Sequence, residues 1–341
     1  MSTRVEWDEA IDDKVKAIVE GMDEGWHPLM KSFCNYMRND SANTRKSYMT
    51  NVREFVNYFE SKGIIDPSDE GTLSNVKPYM IDDCMADLDY TTAKKNAFYY
   101  GVKKFWNFLY MNEIVQSDIF ARLKSAKDTK EHKIVYLEDE EIKKVMNVIE
   151  HPAIANNPTS TKARGLLNQR ILFKNQNRLL FSLAIETGLR RSSIYQIELK
   201  DIDFDHQRIT VVQKGDKIHV AVYSGYVASI LEDWLKDREN ILLKTRNNAD
   251  TLFLNPNGTA LTPKSDPLGT LLRWCTCTIK KKITPHKLRS TCATMILDKT
   301  GNIALASKVL GHANVTTTQR YARVMDDKIV SIAEELGNVF S

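Results

Sequence analysis

The chain has 341 residues, 42% of them hydrophobic and 27% charged, with 14 glycines and 9 prolines. That length fits two domains able to bury their own cores, and the composition excludes global disorder, a disulfide scaffold and a turn-rich all-β design. Net charge is only +4, but residues 280–324 carry nine Lys and Arg against the single acid Asp298, an asymmetry that suits a polyanion met by one face.

In chain order, MSTRVEWDEAIDDK lacks the apolar run of a signal peptide, and residues 1–24 read as an N-terminal extension. Residues 25–115 read as a helical unit: Val52, Phe55, Val56 and Phe59 recur at helical spacing, as do Phe98, Val102, Phe105, Trp106 and Leu109. Thr44, Arg45, Lys46 and Tyr48 open one of its helices and Lys94 and Lys95 another, where hydroxyls and cations suit phosphate contact. Residues 116–136, including LKSAKDTKEHK, lose the apolar stripe and read as a linker. LEDEEIKKVMNVIE then predicts a capped amphipathic helix that opens a domain over 137–325. Residues 151–176 are polar and weakly patterned, an insertion or loop of unread role. NRLLFSLAIETG predicts a buried helix stopped by Gly188; its apolar run, LLFSLAI, is far too short to span a membrane. RITVV and IHVAV flank QKGDK as a β-hairpin. In the tail, 326–341, Ile329, Ile332, Ala333 and Leu336 form one helical stripe. The whole reads as mainly α with a small antiparallel β-sheet, in a soluble chain of cytoplasmic type. The five cysteines read as reduced thiols, and Cys275 and Cys277, placed on an irregular or strand segment with no second ligand pair, do not read as a metal site. No Walker loop, HExxH or GxSxG motif occurs.

Four short segments carry the chemistry. In TPHKLRS, Thr284 caps a helix and Pro285 takes its first position, which sets His286 and Arg289 one turn apart, with Lys287 between them. A phosphate there would meet backbone amides, an imidazole and a two-armed guanidinium. In LGHANVTTTQRYARV, Gly311 ends a helix, His312 follows, and Tyr321 stands between Arg320 and Arg323. A tyrosine at helical spacing from Val324 also suits a core; flanked by cations it suits a nucleophile, because they favour the phenolate. ETGLRRSS places Arg190 just past a helix end, and Lys214 at the hairpin tip has the reach of a proton donor.

TGLR, a hairpin Lys-Gly, HKLR, LGH and a Tyr nine residues after that His occur in the order and spacing of the tyrosine recombinase (phage integrase) family, which this sequence resembles. The resemblance covers 137–325 closely, and 25–115, with NTRKSYMTNVREFVNYF, looks like the family's core-binding domain. It implies a two-domain DNA clamp in which Arg190 and Arg289 grip the phosphate, Lys214 is the general acid, His286 and His312 bind phosphate or handle protons, and Tyr321 is the nucleophile. It also implies double-stranded DNA sites as partners, a tetramer on two of them, and strand transfer with no metal, ATP or other cofactor; accessory proteins stay open. Three residues after the first arginine, where the family usually carries an acid, this chain has Ser193, which with Gln196 also fits a capping box. The alternatives are a type IB topoisomerase and a DNA-binding protein with a decayed site.

Overall fold

Trp7, Ile11, Val15, Ile18 and Val19 recur on one face of α1 (Thr3–Glu20), and all five are buried. In the computed structural model, which describes residues 3–125, 135–152, 161–213 and 217–311, the chain divides into two units at residues 131 and 132. The first contains α1, α2 (His27–Tyr36), α3 (Ala42–Ser61), α4 (Pro78–Asp87) and α5 (Thr92–Met111). Ser41 caps α3 and Thr91 caps α5, each hydroxyl accepting from the amide three residues on. Between them Phe33, Phe55, Phe59, Phe98, Phe105 and Trp106 interlock, with ring centroids 5.0 Å apart for Phe33 and Phe105 and 4.8 Å for Phe55 and Phe59. Burying each ring contributes about 1.5–3 kcal/mol.

Two expected boundaries shift. Residues 1–24 are not an extension, because Val15, Ile18, Val19 and Met22 belong to the same core as α3 and α5. Nor does a linker begin at 116: the Trp106 indole donates to the Ser117 carbonyl at 2.9 Å, Ile119 and Phe120 are buried, and the Tyr99 hydroxyl donates to the Leu123 carbonyl at 3.0 Å. The charged run hid these apolar residues because they anchor a turn rather than a periodic element.

In the second unit, Leu137 is buried and its amide donates to the Thr291 hydroxyl at 2.9 Å, just ahead of α6 (Asp139–Glu150). The segment expected to be an irregular insertion contains α7 (Thr161–Leu172). Its apolar residues are hardly segregated from the polar ones, so no amphipathic stripe announces a helix. Next, α8 (Lys174–Thr187) is buried along most of its length and packs against α6, α10 (Gly225–Thr245), α11 (Pro267–Ile279) and α12 (Pro285–Thr300). After α8 come α9 (Arg191–Tyr195) and an antiparallel sheet of β1 (Ile202–Asp203), β2 (Arg208–Gln213) and β3 (Lys217–Val222), in that order. The register pairs Val211 with His219 and Gln213 with Lys217. Period-2 alternation turns Ile209, Val211 and Gln213 inward and leaves Val212, Ile218, Val220 and Val222 exposed. Cys275 lies on α11 rather than on an irregular or strand segment; it is buried, and desolvation pushes its thiol up to about 12. The last described helix, α13 (Ile303–Leu310), packs on α12 through Leu297, Ala306 and Leu310. Among the described residues no helix is long and apolar enough to cross a membrane.

Candidate active site

Thr284 accepts from the Lys287 amide and Pro285 fills the first position of α12, as its sequence predicts. His286 is exposed in this first turn, and Arg289, one turn on, is buried at 4% exposure. A buried cation has to be hydrogen-bonded. Arg289 donates through Nη1 to the Gly188 carbonyl and through Nη2 to the Leu310 carbonyl, the latter at 2.7 Å. Both acceptors lie at helix C-termini, where the backbone is partially negative. One guanidinium therefore joins the end of α8, the start of α12 and the end of α13.

Both helix ends depend on glycine. Gly188 has φ 58° and Gly311 φ 62°, and a Cβ on Gly311 would stand 2.4 Å from Gln213 Nε2 and 2.9 Å from His219 Nδ1. Gly311→Ala is therefore expected to lower stability by about 1–3 kcal/mol in urea melts, from backbone strain plus this overlap; an unchanged midpoint would show that the turn relaxes freely.

Arg190 is the N-cap residue of α9, two residues past Gly188, and is half-buried. It donates through Nη1 to Gln213 Oε1, and burial lowers its pKa from the ordinary arginine value. On β3, His219 is held below the usual histidine pKa first by burial, with the Val309 carbonyl opposing and Arg289 and Arg190 adding to the depression. The imidazole is accordingly neutral at pH 7. Sequence reasoning missed Gln213 and His219; the alternation that places Ile209 and Val211 inward extends to Gln213 and was the available signal.

Arg190 and Arg289 are thus both brought within electrostatic reach of His219, and His286 lies one turn from Arg289 at the helix end. Lys214, His312 and Tyr321 lie outside the described residues, as does the 326–341 tail. Gln213 and Gly311, which directly precede Lys214 and His312 in the sequence, lie against each other. Ser193 does not cap: it is buried inside α9, whose N-cap is Arg190 and whose C-cap is Gln196.

The expected DNA contacts in the first unit are partly engaged already. Arg45 grips Asp12, with its Nη2 2.6 Å from Oδ2, and also donates to the Asp40 carbonyl. Lys94 pairs with Glu54 at 2.7 Å and donates to Asn51 Oδ1 at 3.1 Å. These two are intramolecular ties rather than outward cations, and their acidic partners lie too far along the chain to be paired by spacing. The Thr44 hydroxyl meets the Ser41 cap at 2.8 Å, and Tyr48 packs on the core. Lys46 and Lys95 are half-exposed. Lys287, on α12, donates its ammonium to the Lys282 carbonyl.

The model of the Phage integrase family matches residues 135–328. A tyrosine recombinase XerC of Listeria welshimeri is 25% identical over 313 residues, covering 89% of this chain and 95% of that protein. Among solved structures, the XerH site-specific recombinase bound to palindromic difH substrate has a TM-score of 0.65 at 22% identity, covering 88% of this chain and 82% of that one. A lambda integrase tetramer bound to a Holliday junction has a TM-score of 0.57 at 17% identity, covering 86% and 76%. These likenesses extend through both units and agree on the mainly helical fold with its small antiparallel sheet. With the family model matching more than half of its length, the chain belongs to the phage integrase family.

Proposed function

We propose that this protein is a site-specific DNA recombinase that cleaves and rejoins strands by transesterification through a 3′-phosphotyrosyl intermediate. The observation that carries the reading is the buried Arg289 guanidinium, which brings the TGLR turn, the HKLR helix and the LGH turn to one place. In this reading Tyr321 Oη attacks phosphorus and gives up its proton to one of the site's imidazoles, while the 5′ oxygen leaves with a proton from Lys214. That 5′ hydroxyl is then free to attack the phosphotyrosyl bond of a partner strand, which releases the tyrosine. The number of phosphoester bonds is unchanged, so no ATP is needed. Arg190 and Arg289, with His286 and His312, stabilise the extra negative charge of the pentacovalent phosphorus. The N-terminal unit serves as the core-binding half and the unit from residue 135 as the catalytic half. Curated relatives named tyrosine recombinases, and the solved recombinases bound to DNA, support this assignment, with a tetramer on two DNA sites inside the cell as the working assembly.

The test is to incubate the protein with DNA of its host, recover DNA bound covalently under denaturing conditions, and sequence it. Two duplexes carrying the recovered site are then supplied together. Joined products, with four chains per complex by light scattering, are expected. Relaxation of supercoils without exchange would make the enzyme a type IB topoisomerase, and no adduct at all would make it a binding protein.

Lys214→Ala is expected to slow adduct formation about 10²–10⁴-fold, the usual worth of a positioned proton donor. A substrate with sulfur in place of the 5′ leaving oxygen should restore most of that rate, because a thiolate leaves unprotonated. If the variant cleaves both substrates equally slowly, Lys214 is not the acid.

A further inference from the structure

We infer that Gln213 is a positioning residue for Arg190, setting the aim of that guanidinium on the scissile phosphate; this rests on the strand-transfer function proposed above. Gln213 is the last residue of β2, turned inward and only 5% exposed. Its amide could serve as donor or acceptor, but a guanidinium only donates, so the bond from Arg190 Nη1 fixes Oε1 on the arginine side and Nε2 on the other. Nε2 then points at the Gly311 turn, where a Cβ would come within 2.4 Å of it and the neighbouring carboxamide carbon within 3.0 Å. Gln213 is thereby held between two of the family motifs: the arginine of TGLR on one side and the glycine of LGH on the other.

This placement suits orientation rather than fold stability alone. Nε2 is buried with no hydrogen-bond partner among the described residues, as is His219 Nε2. A buried amide with an unused donor is a poor choice for packing, where an apolar side chain of the same size costs less. What the amide does supply is an acceptor for Arg190 that carries no negative charge. A carboxylate in its place would also hold the guanidinium, but would neutralise the charge the phosphate needs. Glutamine fixes the arginine and leaves it fully cationic. A long side chain released from such a hold samples several rotamers, and misplacing a reacting group by about 1 Å can cost on the order of 10²-fold in rate.

Gln213→Met and Gln213→Leu remove the acceptor while keeping most of the volume; both are made so that at least one melts cooperatively near the parent temperature. Each is measured for DNA affinity and for single-turnover adduct formation at saturating DNA, alone and combined with Arg190→Ala. The expected result is a loss of about 10–10²-fold in the adduct rate, affinity within about twofold, and less than a twofold further effect in the Arg190→Ala background. A purely structural role would act equally in both backgrounds. Equal losses in both, or no loss with Arg190 intact, would overturn the inference while leaving the recombinase reading in place. A parent protein that forms no adduct on any DNA would sink the recombinase reading, and this inference with it.

Discussion

Tyr321→Phe is expected to abolish the covalent protein–DNA adduct while changing DNA affinity by no more than about twofold. The substitution removes one oxygen and keeps the ring, so whatever packing the side chain provides is retained. Without that oxygen no atom of the side chain can bond to phosphorus, and no pKa adjustment elsewhere substitutes for it. The loss should therefore be complete rather than partial. Nicked duplexes that trap the intermediate, resolved on denaturing gels, give the answer: adduct persisting in the phenylalanine variant would mean another residue attacks. Native gels with protein titrated over trace labelled DNA give the affinity, which separates a failed nucleophile from a failed clamp.

Arg289→Lys is expected to be nearly as severe for activity and, in addition, to weaken the fold. Charge is conserved, but a single ammonium on a longer flexible stem cannot donate to the Gly188 and Leu310 carbonyls together and still address a phosphate. Leaving a buried carbonyl unpaired costs about 1–3 kcal/mol, and losing one preorganised donor to the reacting phosphate costs about 10²–10³-fold in rate. Urea melts and single-turnover cleavage on the same preparation separate the two effects. Full activity would remove Arg289 from the site; lost activity with unchanged stability would show that its carbonyl bonds do not hold the three helix ends.

Local signals in the sequence were legible where geometry is decided within a few residues. Thr284 and Pro285 at the start of α12, Gly188 and Gly311 at helix ends, the capped amphipathic helix α6 and the pairing of 208–213 with 217–222 all appear where the sequence predicts them. The apolar stripes of α3 and α5 are likewise core. The stripe of α1 was equally readable from Trp7, Ile11, Val15 and Ile18, but acidic residues between them obscured it. By contrast, α7 scarcely separates apolar from polar positions, and side chains whose partners lie far along the chain could not be placed at all. Arg45 finds Asp12 33 residues away, Arg190 finds Gln213 23 residues away, and Arg289 finds Gly188 across 101 residues. Sequence identifies which residue types can do the chemistry; only the fold shows which of them are already engaged with the protein itself, as Arg45 and Lys94 are.

The span of the Arg289 bonds bears on when this protein becomes able to cut. Its guanidinium closes one loop of 101 residues and another of 21, the first needing α8 and α12 and the second α12 and α13, so the two bonds stand together only once all three have been synthesised and packed. The entropy of closing the longer loop must be met before those contacts give anything back, so this junction belongs to the late, non-local part of folding. A nascent or truncated chain that ends before α12 contains Arg190 and the hairpin but has no second guanidinium and no fixed helix ends. Strand breakage is a hazardous activity to possess by halves. In the strand-transfer reading proposed above, the phosphate grip and the closing contact of the fold are the same arginine, so a chain that stops before α12 lacks both at once, as well as Tyr321.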